Sequence, residues 1–539
     1  MKAFFLTAFH FLKPGRYVRM PLVVLERKIL GISITLLFIW ITLLFILSVF
    51  IGISSSLNVQ RVILTSLTSM AVVVGIAALE YFKPWWGFYL FLMFWPIMSV
   101  VQELLTRWDT LLLDLRGWSL TAALAFGCWL RFKQSSSNSC AVAPITVPRR
   151  GHHGWLLAFR LALWGLVLSY FFSSLVSTWR MQHPPPDWII WQGGKLVPLG
   201  TALVYLPSLL LGLLLLNQLA TNAFASTGLI KKNSTVPSLP LLPSGKMIAF
   251  AVTGGIFAAS FFIYQIKTGF TWSFNSGVPQ AGVFFNQNTM APFLAIIGIL
   301  LFAAARPPKS KQVALCLLGC VFLFLTFLTH SRNGVFMILC SIMALLLIRI
   351  NWRRFLLIVA VLTLFLAFLF YLPLPKLEVV SLKRFFQTVE ALRAGELGNA
   401  LLVRWELFKA AILIFLDYPW LGSGPGTFPM LTANGARFGN IVGSYQRVSP
   451  HSMPLHLLAE NGLLGMMSWS VAWLLLPLIA VIRWRSEGAL ALVVLVMGVG
   501  NLFDTVWMVP GMTTFCVLLI VWAYDSSQDR RDACPDAVP

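Results

Sequence analysis

Charge is scarce in this chain, and acidic charge is scarcest: 11% of the 539 residues are charged, with 18 Asp or Glu against 40 Lys or Arg. So little charge leaves apolar runs of about 20 residues uninterrupted along nearly the whole length, each long enough to cross a bilayer as a helix. The runs lack the polar-apolar alternation of barrel strands, which excludes a membrane β-barrel. Cysteine is sparse too. Of the seven, Cys128, Cys316, Cys320, Cys340 and Cys516 fall inside expected spans, and Cys140 and Cys534 fall in segments expected to be cytoplasmic, so no outside disulfide is expected. Cys316 and Cys320 share a helix face but make a poor metal site, and they read as small packing residues. No cleavable signal peptide is expected, because a basic stretch from Lys2 to Lys28 precedes a first apolar run too long for a signal core. A G-x-G-x-x-G fingerprint after a strand, an H-E-x-x-H pair and a clear internal repeat are also missing, which argues against dinucleotide binding, a paired zinc site and a repeat-built transporter.

What remains is a polytopic all-α membrane protein, with 58% hydrophobic residues and a formal charge of +22. The charge is not a nucleic-acid signal. It is concentrated at Lys2 to Lys28, Arg131 to Arg150, Lys231 to Lys246, Arg306 to Lys311, Arg349 to Arg354 and Arg483 to Arg485, all short connections between apolar runs. With these inside, the alternation closes without a forced skip and both termini are cytoplasmic. The spans expected run near 31–53, 62–79, 87–105, 118–131, 154–178, 197–217, 247–266, 288–305, 313–331, 333–348, 355–373, 452–481, 488–508 and 510–524, about 12 to 14 in all. Trp188, Trp191 and Trp272 fall in outer connections as an interfacial belt. Five regions follow: an N-terminal bundle over 1–250, a central bundle over 251–374, an external loop over 375–450, a C-terminal bundle over 451–524 and a cytoplasmic tail over 525–539.

The external loop is the one long connection. Its 76 residues, Pro375 to Pro450, carry eight Lys or Arg against five Asp or Glu, a basic excess that a loop this long is free to hold outside and that suits an anionic ligand. Ser381 to Leu397 reads as an amphipathic helix on the membrane surface, and Leu401 to Leu416 as a second, more apolar helix. Asp417-Tyr418-Pro419 ends that helix, and Gly422-Ser423-Gly424-Pro425-Gly426 makes a tight turn.

Three positions are candidates for chemistry. Arg332, in Thr329-His330-Ser331-Arg332-Asn333-Gly334, stands at the outer junction of two spans, where a guanidinium offers phosphate a planar fork of donors and stays charged. A snorkelling anchor in the headgroups is the plainer alternative. Arg404, in Arg404-Trp405-Glu406, opens the second loop helix, and alone it also fits a solvated face with a Glu406–Lys409 pair. His451 follows Pro450 at a helix start, where backbone N–H groups and the positive dipole end favour the neutral imidazole, a form able to take a proton from a hydroxyl; an interfacial histidine without a task is the alternative.

Taken together these residues resemble the O-antigen ligase and polymerase superfamily. The resemblance rests on Ser331-Arg332, on Arg404 ahead of Asp417-Tyr418-Pro419-x-x-Gly422-x-Gly424-x-Gly426, on His451-Ser452 with nine residues before Gly462-Leu463-Leu464-Gly465, and on the Asn286-Gln287-Asn288 turn, covering roughly 280–480. It implies a GT-C-like membrane fold and a glycosyltransferase on the outer face of the cytoplasmic membrane, in cell-envelope lipopolysaccharide biosynthesis. Such an enzyme moves a glycan from undecaprenyl diphosphate to an acceptor hydroxyl, on lipid A core or another glycan or protein. It further implies that Arg332 and Arg404 bind the diphosphate, that His451 activates the acceptor, that Gly422, Gly424 and Gly426 form a supporting loop, and that no metal, nucleotide or other cofactor is required. A repeat-unit polymerase of the same superfamily, and a small-anion transporter of the bicarbonate type, stay open as alternatives. The candidate charges lie at outer helix ends rather than at mid-membrane, as do Glu103 and Asp504, which weighs against transport.

Overall fold

In the computed structural model the described residues are 29–36, 39, 59–106, 118–137, 153–183, 197–225, 244–270, 279–284, 287–304, 309–329, 331–349, 390, 394, 404–432, 449–483, 489–502, 504 and 511–519. Among them the regular structure is entirely helical. The labels used below are α1 Val59–Phe82, α2 Trp86–Thr106, α3 Trp118–Ser137, α4 His153–Gln182, α5 Val197–Ala225, α6 Ser244–Thr268, α7 Gln287–Ala304, α8 Lys309–Leu328, α9 Arg332–Arg349, α10 Arg404–Asp417, α11 Phe428–Thr432, α12 Met453–Ser470, α13 Leu476–Arg483 and α14 Ala489–Gly500.

Four stretches, Leu157–Gln182, Val197–Asn217, Lys246–Thr268 and Met453–Ile479, are long and apolar enough to cross a membrane, and Met70–Phe82, Trp86–Met98, Asn288–Phe302 and Gln312–Leu328 are shorter apolar helices. The molecule is therefore a multi-pass helical membrane protein. The span expected at 355–373 lies outside the described residues, as do most of 31–53 and, apart from Glu390 and Ala394, the surface helix at 381–397.

The helices share one apolar core that runs from Leu30 to Leu519. Within it α1 packs on α3, α2 on α6, α7 on α8, and α4 on both α5 and α12, while α9 and α14 lie against α7 and against each other. Polar side chains inside are satisfied across helices, as hydrocarbon requires: Thr514 Oγ1 lies 2.7 Å from Thr121 Oγ1 and 2.9 Å from Ser208 Oγ. At the ends of α1 and α3, Arg131 donates to the carboxylate and carbonyl of buried Glu80, which also accepts the Trp85 and Gly87 N–H groups at the start of α2.

One element differs from expectation. The run 452–481, expected as one span, is broken at Gly462 (φ 66, ψ −164) and passes through a π-helical turn at Val471–Leu475 before α13. The second loop helix, expected over Leu401 to Leu416, is α10, and its apolar residues are inside: Leu407, Ala410, Ala411 and Ile414 are buried with Ala459 of α12 and Met181 of α4 in a second apolar cluster.

Candidate active site

The site gathers where α9 and α12 begin and α14 ends. Ser331 caps α9, accepting the Gly334 N–H at 3.3 Å while its hydroxyl donates to Asn288 Oδ1 at 2.9 Å. The asparagine segment and the Ser331-Arg332 motif therefore meet. Arg332 is the first residue of α9, and its side chain lies outside the described residues, as does His330. Further along α9, Met337 fills the space beside Gly500, so the start of α9 stands next to the end of α14.

The chain that leaves α14 is tied to the chain that enters α12. The Met453 N–H donates to Asn501 O at 2.8 Å, and Asn501 Nδ2 donates back to Met497 O. Ser452 is the extended N-cap residue of α12, Pro454 stands in the first turn, and the His456 N–H closes that turn on Ser452 O. His451 thus precedes the helix rather than standing on its first turn, and its backbone is in the left-handed region (φ 49), a conformation a non-glycine residue holds only when its surroundings impose it.

That backbone delivers the imidazole to Asp504. His451 Nδ1 lies 3.2 Å from Asp504 Oδ1, and Arg404 Nη2 at the start of α10 lies 3.9 Å from Asp504 Oδ2. The carboxylate is 6% exposed while the imidazole is 27% and the guanidinium 22% exposed, so a buried anion orients two groups that still reach the opening. With Nδ1–H donated to the carboxylate, Nε2 keeps its lone pair and becomes the basic nitrogen. The structure therefore unites His451 and Arg404 through a residue the sequence offered only as an acid near an outer boundary. A carboxylate just past the end of an apolar helix, in a chain so poor in acidic residues, was the available clue.

The glycine turn is the second half of this end of the molecule. Because Gly462 interrupts α12, the Ala459 and Glu460 carbonyls and the Leu463 N–H lack their usual helical partners, and the turn supplies them. Ser423 N–H donates to Ala459 O at 2.8 Å, Gly424 N–H to Glu460 O at 2.9 Å, and Leu463 N–H to Pro419 O at 2.8 Å. Gly422, Gly424 and Gly426 all have positive φ (70, 123 and 76). A β-carbon on Gly422 would collide with the Glu460–Asn461 peptide, and one on Gly462 with the Trp420 carbonyl. Arg180 of α4 closes the far side, donating to Gly422 O at 3.1 Å with its guanidinium 4.4 Å from the Tyr418 ring centroid. Glu460 and this junction between two glycine motifs escaped the sequence reading.

A histidine–carboxylate pair beside an arginine offers the groups that acid–base chemistry next to an anion would use. Residues 314–470, which contribute Arg332, Arg404, the glycine turn and His451, match the O-antigen ligase family. The match covers this segment of the chain and supports a likeness to the O-antigen ligase-like superfamily, whose members are membrane enzymes of the ligase and polymerase kind. Asp504 lies beyond the matched segment. No curated protein is matched by the chain.

Proposed function

We propose that the protein is a GT-C-like membrane glycosyltransferase that moves a glycan from undecaprenyl diphosphate to an acceptor hydroxyl at the outer face of the cytoplasmic membrane. The observation that carries this reading is the His451–Asp504–Arg404 cluster, two members of which lie within the O-antigen ligase segment. His451 Nε2 takes the proton from the acceptor hydroxyl as its oxygen attacks the anomeric carbon. The bond from that carbon to the diphosphate oxygen breaks on the opposite face, inverting the centre. Arg404, with Arg332 at the start of α9, carries the negative charge that grows on the leaving diphosphate, so the reading invokes no metal and no nucleotide. A positioned base of this kind contributes about 10² to 10⁴-fold to rate. The acceptor, on lipid A core or another glycan, is bound where the imidazole is open.

Complementation of a ligase-deficient Gram-negative strain tests the proposal, with capped lipopolysaccharide read on a gel. The parent chain is expected to cap and His451→Ala, at equal membrane abundance, is not. A well-expressed parent that leaves the core uncapped removes the ligase assignment and turns the assay to repeat-unit polymerisation.

A further inference from the structure

Glu460 is a buried carboxylate that the chemistry above does not use. It sits two residues before the break in α12 and is 1% exposed. Its Oε2 accepts the Gly426 N–H at 2.6 Å, its Oε1 accepts the Phe428 N–H at 2.9 Å, and His456 Nε2 lies 3.1 Å from Oε2. Its own carbonyl accepts both the Gly424 N–H and the Ser173 hydroxyl, at 2.9 and 2.7 Å. One residue therefore holds the far part of the glycine turn through its side chain, the near part through its backbone, and α4 as well.

The turn continues directly from α10, whose first residue is Arg404. A helix of 14 residues is a rod about 20 Å long, and pinning its C-terminal end fixes where its N-terminal end points. We propose that Glu460 is a positioning residue for donor binding: it locks the glycine turn across the break in α12 and so holds Arg404 beside Asp504 and the leaving diphosphate. The proposal rests on the transferase reading for its substrate and on the hydrogen-bond geometry alone for the lock. Glu460→Gln retains the shape but turns an amide donor toward backbone donors, which opens the lock without emptying the site.

The test uses the full chain in nanodiscs with its exposed native cysteines replaced. Spin labels at Lys409 on α10 and Met467 on α12, both exposed, are read by pulsed electron paramagnetic resonance. The parent is expected to give one narrow distance and Glu460→Gln a broad distribution. The same variant is expected to lower kcat/KM for the undecaprenyl-diphosphate glycan more than tenfold, through both a raised KM and a lowered kcat, because Arg404 binds the diphosphate and carries the charge that grows on it. An unchanged narrow distance overturns the proposal, and so does a kcat/KM for the donor within about threefold of the parent's. Should Glu460→Gln fail to accumulate, Ser423→Ala, which removes the hydroxyl links to Ala459 O and Thr427, is expected to show the same changes at smaller size. A parent that transfers no glycan sinks the transferase reading, and the distance distribution then decides the lock by itself.

Discussion

His451 and Asp504 are 53 positions apart, yet they lie within hydrogen-bond distance, and in the proposed reaction they act as one group, because a neutral imidazole is useful as a base only when its other nitrogen is held. Asp504→Asn keeps the shape of the side chain and removes the charge that selects the Nδ1–H form. Steady-state kinetics of purified Asp504→Asn are expected to show kcat lowered by about 10² or more with donor KM within a few-fold, and His451→Ala is expected to fall at least as far. The double variant should be no slower than His451→Ala alone, since residues that act as a unit lose their effect together. A further multiplicative loss in the double variant would separate the two roles. Of this pair, His451 was legible in the sequence because an imidazole at a helix start in so apolar a chain is conspicuous. Its partner was not, because Asp504 is brought near by a tertiary hydrogen bond, Met453 N–H to Asn501 O, that leaves no local pattern.

Among the elements, α12 departs furthest from a simple span. Its break places three backbone groups in an apolar surrounding, where each unpaired group would cost several kcal/mol, and the turn from Pro419 to Gly424 pairs all of them. Gly462→Ala adds a β-carbon against the Trp420 carbonyl and forces a positive φ on alanine. It is expected to destabilise the protein by about 1–3 kcal/mol, read as a drop in Tm in detergent. Gly75→Ala in α1, where a β-carbon meets open space, is the matched control and should not lower Tm. The turn itself was legible from Gly-x-Gly-x-Gly punctuation, and α10 from its apolar spacing. The break was not: a glycine inside a transmembrane run is common, and nothing local distinguishes one that interrupts the helix from one that packs. What the two glycine motifs do for each other is written only in the approach of two backbones 40 residues apart in sequence, Gly422 and Gly462.

Over the whole molecule, the sequence carries the class and the basic pattern of the connections, while the packing order of the helices follows from side-chain fit that no hydropathy profile encodes. The Glu80–Arg131 pair illustrates the difference. Arg131 was legible only as the first of a basic cluster, yet it is buried and paired with a carboxylate from α1, with its guanidinium 5.6 Å from the Trp85 ring centroid. Removing one partner of a buried pair costs about 3–5 kcal/mol, so Arg131→Ala should lower Tm and membrane yield without changing donor KM in the protein that survives. The basic connections predict a sidedness that the proposed chemistry depends on, because an acceptor delivered outside the cell can be reached only if His451 opens there. In a cysteine-depleted chain, Lys409→Cys on α10 is expected to react with a membrane-impermeant maleimide in intact spheroplasts, and Lys133→Cys near the end of α3 only after permeabilisation. Both positions are exposed, so their labelling reports the compartment rather than burial. The reverse pattern would turn the cluster of His451, Asp504 and Arg404 toward the cytoplasm. A transferase working on an outward-facing glycan would then have no physical basis, however well its residues aligned.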